Sequence, residues 1–143
     1  MARYTAVIPS VRTLESTFAY MSDFSNAQEW DPGVAAAKQI GSGPIAKGTE
    51  FDLVVLFAGR RVTLRYRVKE FVENQRVVFE ASSARLHSLD TLTFVPRPDG
   101  CEMTYAAEVR LTGVASVVNP LLALGFTRVG DRARDSLRAL LGP

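Results

Sequence analysis

The chain ends in a single long helical pattern that follows an extended region of strand-like alternation. Asn119 and Pro120 predict the start of this helix, and Gly142 and Pro143 predict its end. Its apolar residues are spaced three or four apart, as on one face of an α-helix: Val118, Leu122, Phe126, Val129, Ala133, Leu137 and Leu140. An amphipathic helix of this kind needs an apolar surface to cover, and the preceding residues predict a sheet.

Alternating segments separated by turn residues extend from Val34 to Leu111 and predict an antiparallel meander. The clearest strand covers Arg60 to Phe71. Its two faces differ, with Val62, Leu64, Tyr66 and Val68 on one and Arg61, Thr63, Arg65, Arg67 and Lys69 on the other. Such a strand needs one covered face and one wet face. The basic residues are interpreted as an outer stripe paired with glutamates such as Glu80 and Glu108, with an anionic lipid or acidic partner as the alternative.

A first strand and two short helices are predicted before this meander. The strand ends at Pro9, and Thr13 is a predicted N-cap of the first helix. A capping box from Ser25 to Gln28 predicts a second short helix that ends near Trp30. The predicted fold is therefore α+β, with a curved antiparallel sheet of about seven strands wrapped around the long C-terminal helix.

Length and composition limit the class of protein. The 143 residues, of which 47% are hydrophobic, predict one domain over residues 1–143. The opening residues lack a basic stretch followed by an apolar run, so we expect no signal peptide, no integral membrane association and a cytoplasmic location. Cys101 is the only cysteine and cannot form an internal disulfide. A formal charge of +2 is too small to indicate a nucleic-acid-binding face.

The motifs of common catalytic and cofactor sites are absent from the sequence. His87 is the only histidine, and no HExxH or CxxC pattern occurs, so no metal site is predicted. The run from Gly41 to Pro44 lacks the lysine of a phosphate-binding loop, and no GxSxG motif is present. We expect no cofactor.

Three groups of residues carry a resemblance to a known superfamily. They are Phe18–Asp23 with Asn26 and Trp30–Pro32, then Gly48–Phe51, and finally Phe94, Pro96, Asp99, Gly100, Met103 and Thr104. With the predicted order of elements, they resemble the START-like, Bet v 1-like (SRPBCC) superfamily and, within it, bacterial polyketide cyclase/dehydrase-type proteins. The resemblance implies a helix-grip fold with a hydrophobic pocket between the sheet and the last helix. It implies no catalytic residue, because members of the superfamily share no catalytic set.

Aromatic residues from six different elements are predicted on or near the concave side of the sheet: Trp30, Phe57, Tyr66, Phe79, Tyr105 and Phe126. With Leu92 and Leu122 they form a predicted apolar lining for a small hydrophobic molecule such as a lipid, a polyketide or an aromatic compound. Gly125 and Gly130 in the last helix indicate close backbone approach, a locally mobile helix face beside a ligand, or plain tolerance of glycine.

Asp90 and His87 are the candidate acid or base residues. They lie three apart on one predicted strand, so their side chains should point to opposite faces. If Phe94 faces the core, Asp90 and Ser88 face it too, and a buried carboxyl group needs a donor, nearby water or a raised pKa. In the opposite phase, Leu89 points inward and Asp90 is solvated, and the sequence leaves both phases open.

Three functions fit these features. The first is binding of a small hydrophobic molecule in the pocket, with weak catalysis or none. The second is a polyketide cyclase or dehydratase activity that uses Asp90, His87 or a tyrosine as acid or base. The third is a domain with a filled core that acts through its surface as a regulatory or interaction partner. The sequence leaves monomer and homodimer open.

Overall fold

The computed structural model describes residues 2–57, 59–113 and 119–143. Strand β1 (Ala2–Ser10) is followed by helix α1 (Leu14–Ser22), a 3-10 turn (Phe24–Asn26) and helix α2 (Ala27–Trp30). The meander then comprises β2 (Val34–Ile40), β3 (Glu50–Phe57), β4 (Arg60–Val72), β5 (Arg76–Ser82), β6 (Leu86–Arg97) and β7 (Gly100–Leu111). Helix α3 (Asn119–Leu141) closes the order of elements.

The strands form one seven-stranded antiparallel sheet in the order β1-β7-β6-β5-β4-β3-β2. Consecutive strands pair from β2 to β7, and β1 joins β7, with Ala6 opposite Tyr105. Register shifts between Val34 and Ala36 and between Val68 and Glu70 add local bends to the sheet. The predicted fold class, a curved sheet with a long C-terminal helix, is confirmed.

The inner face of β6 is occupied by the even-numbered residues. Ser88, Asp90, Leu92 and Phe94 are all buried, whereas Leu89 is only partly buried on the other face. This answers the question of strand phase that the sequence left open. The strand period of two then places His87 outside and Asp90 inside.

An aromatic cluster fills one end of the space under the sheet. The Phe24 ring stacks on the Phe79 ring with centroids 4.0 Å apart and meets the edge of Tyr66 at 5.1 Å. Phe18 of α1 packs edge-on against Phe94 at 5.2 Å. The short helices therefore plug this end, while α3 packs against β1 and α2.

Two local predictions about the helices are wrong. Thr13 caps α1 by accepting the N–H of Ser16, as expected. However, Ser25 does not open a capping box, because Asp23 accepts the N–H of Ser25 and caps the 3-10 turn instead. In α3, Leu141 is buried and Leu140 is 38% exposed, so the apolar face continues from Leu137 by four residues rather than three. Val118 lies outside the described residues.

The outer face of the sheet carries charged pairs between neighbouring strands. Arg65 Nε lies 2.8 Å from Asp52 Oδ1, and Lys69 Nζ lies 3.6 Å from Glu80 Oε2. Glu108 pairs with Arg3 of β1 at 3.3 Å and not with the basic stripe. These exposed pairs fit the interpretation of the stripe as a solvated face.

Candidate functional site

A cavity of about 570 Å³ separates the inner face of the sheet from α3. Its walls are mainly apolar, with Ile8 on β1, Leu64 on β4 and Leu137 on α3 among them. The described residues therefore do not form the filled core that the third interpretation of the sequence requires. The lining also contains polar side chains: Tyr4, Asp31, Tyr66, Ser88, Asp90, Tyr105 and Arg134.

Four buried polar residues, which we call the polar quartet, lie on the sheet side of the cavity: Tyr66, Ser88, Asp90 and Tyr105. The Tyr105 hydroxyl donates a 2.7 Å hydrogen bond to Asp90 Oδ2. The hydroxyls of Tyr66 and Ser88 share a second hydrogen bond of 2.8 Å. The quartet is formed by β4, β6 and β7, whose inward positions bring these residues onto one face.

Burial makes Asp90 a weak acid. Removal from water is the largest cause, the hydrogen bond from Tyr105 acts in the opposite direction, and the charge of Asp31 adds to the effect of burial, so that the pKa of Asp90 is raised to about 7. Burial also raises the pKa of Tyr105 and Tyr66, and the nearby Asp90 carboxylate adds to both shifts. Near neutral pH the quartet therefore contains one group that can either donate or accept a proton.

Asp31 is a second carboxyl group on the cavity lining. It follows α2, and its Oδ1 accepts the N–H of Gly33 at 2.8 Å in the turn before β2. Burial raises the pKa of Asp31, and the Gly33 hydrogen bond lowers it. The sequence indicated a turn at this position and gave no functional signal. An acidic side chain between the fully buried Trp30 and the buried Val34 is the pattern that would have pointed to it.

Arg134 and Tyr4 contribute polar atoms from the side of α3 and β1. Arg134 lies within 3.1 Å of Asp131 and 3.0 Å of Asp135, and its side chain is 31% exposed. The Tyr4 hydroxyl donates to Asp131 at 2.7 Å. This edge of the cavity was not predicted, because neither residue belongs to a motif and only the packing of α3 on β1 brings them together.

The structure brings five of the predicted ligand-binding residues to the cavity: Tyr66, Ser88, Asp90, Tyr105 and Phe126. The prediction of the lining is corrected at three positions, because the side chains there are fully buried and do not line the cavity: Trp30, Phe79 and Leu92. Phe79 stacks on Phe24, and Trp30 lies edge-on behind Tyr105 at 5.6 Å. The side chains of Phe57 and Leu122 lie outside the described residues.

His87 lies on the outer face of the sheet. Its Nε2 is 3.0 Å from Glu80 Oε2, and the same oxygen is paired with Lys69. His87 is therefore separated from the cavity by the sheet, and of the two candidate acid or base residues only Asp90 meets the cavity.

The two helix glycines have different surroundings. A Cβ at Gly130 would overlap the ring of Tyr4, so the close approach that the sequence suggested occurs there. A Cβ at Gly125 would meet no atom of the described residues within 4 Å outside its own stretch of helix, and this residue lines the cavity. The first glycine lets α3 pack on β1, and the second leaves space beside the helix.

The described residues contain neither a cluster of metal-ligating side chains nor a helix suited to span a membrane. Among them, no three histidine, cysteine, aspartate or glutamate side chains are grouped so that they could hold a metal ion. In the same part of the chain, no helix combines the length and apolarity needed to cross a bilayer.

The family model described as "Polyketide cyclase / dehydrase and lipid transport" matches residues 1–142, and the chain belongs to this family. No match is found among curated protein sequences. The resemblance to START-like proteins inferred from the sequence is thus confirmed.

Solved structures with this fold include a START superfamily protein from Mycobacterium smegmatis, with a TM-score of 0.76, 14% identity and coverage of 98% of this chain and 95% of that one. A protein from Chromobacterium violaceum has a TM-score of 0.68 and 14% identity, with coverage of 100% and 99%. The di-domain ARO/CYC StfQ from the steffimycin biosynthetic pathway matches with a TM-score of 0.65 and 14% identity, over 98% of this chain and 48% of that one. At these identities the likeness is one of fold.

Proposed function

We propose that this protein binds a small, mostly apolar molecule in the cavity between the sheet and α3. The observation that carries the proposal is the cavity itself, about 570 Å³ of space lined by apolar side chains and a few buried polar groups. Ligand sites of proteins commonly have this size and composition. The family, whose description includes lipid transport, supports the same conclusion.

The polar quartet orients the ligand in this proposal. Apolar walls provide most of the binding free energy without direction, whereas a buried hydroxyl or carboxyl group requires a partner at one place. A ligand with one polar group and an apolar body satisfies both parts of the lining. Asp90 is the main anchor, because only one of its carboxyl oxygens is engaged by Tyr105.

The test uses the neutral fluorescent dye N-phenyl-1-naphthylamine and its displacement by long-chain alcohols, quinones and flavonoid-like aromatics. The same substitution at two neighbouring residues of β7 provides a variant and its control. Ala107 lines the cavity and Ala106 points to the opposite face of β7. We expect Ala107→Leu to weaken dye binding by about tenfold or more, because the added side chain occupies the cavity, and Ala106→Leu to have little effect. Absence of dye binding to the unmodified protein, or equal binding by both variants, contradicts the proposal.

A second candidate function, a polyketide cyclase or dehydratase activity, is favoured by one observation at Asp90. Burial raises its pKa to about 7 inside the cavity, which suits a general acid or base near neutral pH. In an aldol cyclisation, the Asp90 carboxylate takes a proton from a carbon between two carbonyl groups. That carbon then forms a bond to the carbon of another carbonyl group in the same chain. The C=O π bond of this group opens, and its oxygen receives the proton back from Asp90. A subsequent dehydration releases water.

Incubation with a synthetic poly-β-ketone thioester, followed by chromatography and mass spectrometry, tests this activity. We expect Asp90→Asn to abolish turnover while the neutral dye still binds, because the amide keeps the shape and loses the acid-base function. Asp99→Asn, in the exposed turn between β6 and β7, removes the same charge outside the cavity and should keep turnover. Turnover that is unchanged in Asp90→Asn removes Asp90 from the mechanism.

A further inference from the structure

The charged residues on the cavity lining include more acidic than basic side chains. Among the described lining residues, Asp31 and Asp90 are acidic and Arg134 is basic. Asp90 is 6% exposed, and the charge of Asp31 acts on it strongly enough to raise its pKa. Both carboxyl groups line the same cavity, so a ligand in it meets two acidic side chains.

Arg134 does not neutralise these two acids. Its guanidinium is within 3.1 Å of Asp131 Oδ1 and within 3.0 Å of Asp135 Oδ1, both of which belong to α3. Its side chain is also 31% exposed, so water screens its charge. Among the described residues, the lining thus carries two acidic side chains and one basic side chain, and the basic one is already paired with Asp131 and Asp135.

Asp90 also has an unused acceptor atom. The Tyr105 hydroxyl donates to Oδ2, and among the described residues no group donates to Oδ1. Oδ1 is not one of the buried atoms that lack a partner, so it is open to the cavity, and a ligand in the cavity can supply the donor. A donor that also carries positive charge would satisfy the hydrogen bond and balance the charge together.

We propose that the cavity selects an amphiphilic amine, whose ammonium group donates to Asp90 Oδ1 while its apolar body fills the space under α3, and that it disfavours ligands bearing a carboxylate. This inference rests on the proposed binding function and adds to it the chemical class of the ligand. A neutral alcohol has the hydrogen-bond donor without the charge and is expected to bind with intermediate affinity. A carboxylate placed near Asp90 and Asp31 is repelled by both.

Three probes with the same ten-carbon chain separate these cases: decylamine, decanol and decanoate. Each is titrated against the bound neutral dye at about pH 8, where the amine is cationic and the acid is anionic, and at concentrations below micelle formation. We expect decylamine to bind more tightly than decanoate by about tenfold or more, the ratio typical of a hydrogen bond to a charged group. Equal or tighter binding of decanoate, with its carboxylate held at the solvent side by Arg134, overturns the inference.

A pair of variants assigns the selectivity to Asp90. Asp90→Asn and Asp99→Asn change the net charge of the protein equally, but only the first changes the cavity. We expect Asp90→Asn to weaken decylamine binding by about tenfold and to leave decanol binding nearly unchanged. Asp99→Asn should leave all three affinities unchanged. Equal loss of decylamine binding in both variants, or in neither, contradicts the assignment.

Failure of this inference can be told apart from failure of the proposed function. If neither the dye nor any ten-carbon probe binds, both proposals are wrong. If the dye and decanol bind while decanoate matches decylamine, only the amine selectivity is wrong. The probe series uses the unmodified protein, so it decides the question even if Asp90→Asn does not fold.

Discussion

Gly130 of α3 lies against the ring of Tyr4 in β1 so closely that a Cβ at this position would overlap the ring. The Tyr4 hydroxyl continues past the glycine and donates to Asp131, one residue further along α3. Both Tyr4 and Gly130 line the cavity. The missing side chain of Gly130 therefore sets how near α3 comes to the edge strand, and so contributes to the height of the cavity.

Gly130→Ala is expected to destabilise the protein. Alanine is favoured over glycine inside a helix by about 1 kcal/mol, but its methyl group must displace the Tyr4 ring, and overpacking of this kind costs about 1–3 kcal/mol. We expect a net loss of about 1 kcal/mol in the free energy of unfolding, measured by urea denaturation.

Gly125→Ala is the matched control, because, outside its own stretch of helix, its Cβ would meet no atom within 4 Å among the residues that the structure describes. We expect it to stabilise the protein by about 0.5–1 kcal/mol through helix propensity alone. If Gly130→Ala is stabilised by the same amount, the approach of α3 to Tyr4 is not a constraint on the structure.

The fold was predictable because its strands and its last helix have strong, different periods. Alternation of Val62, Leu64, Tyr66 and Val68 places these residues on one face of β4 regardless of tertiary contacts. The predicted capping box at Ser25 was wrong because Asp23 is a second possible cap two residues earlier. The sequence does not show which of the two side chains caps the turn, and in the structure Asp23 accepts the N–H of Ser25.

The site was only partly predictable. Alternation shows which face of the sheet a side chain lies on, but not how far it lies from the end that the short helices fill. Phe79 points inward as predicted, but it lies where Phe24 covers it. Tyr66 and Tyr105 point the same way and reach the open cavity. Asp31 enters the site from a turn, whose position depends on the packing of the neighbouring Trp30, and no periodic pattern reports that.

Replacement of His87 tests the separation of the two faces of β6. Because His87 contacts Glu80 on the outer face, we expect His87→Gln to leave the affinity for the neutral dye unchanged. The free energy of unfolding should change by no more than about 1 kcal/mol, as is typical of a partly exposed polar contact between side chains. Dye titration and urea denaturation of the same preparation provide both measurements. A large loss of dye affinity would show that His87 acts on the cavity through the sheet.

The raised pKa of Asp90 predicts that the protein becomes less stable as the pH rises from about 5 to 8. The ordinary pKa of the group is 3.8, and in the folded protein it is about 7. Between these two values the folded state holds a proton that the unfolded chain has lost, so the free energy of unfolding falls as the pH increases. The loss is absent below the ordinary pKa and complete above the folded one. From the size of the shift we expect a decrease of about 2–3 kcal/mol across this range.

Asp90→Asn should flatten most of this dependence when urea denaturation is repeated at several pH values. Burial raises the pKa of Asp31 as well, so a smaller slope of the same sign should remain. Asp52 and Glu80 have lowered pKa values, and their contributions to stability are lost only as the pH falls below the chosen range. A wild-type protein whose stability is constant from about pH 5 to 8 would rule out the raised pKa of Asp90.

The hydrogen bond from Tyr105 is expected to hold the pKa of Asp90 below the value that burial alone would produce. Its hydroxyl stabilises the carboxylate form, so Tyr105→Phe should raise the pKa of Asp90 further. Tyr66→Phe is the matched control, because the Tyr66 hydroxyl is bonded to Ser88 and not to Asp90. The shift is measured by an NMR titration of the Asp90 side-chain carboxyl carbon in each variant. If the pKa of Asp90 shifts equally in both variants, the two hydroxyls act through a common change in hydration. If the pKa is unchanged in Tyr105→Phe, the 2.7 Å hydrogen bond does not favour the ionised form of Asp90.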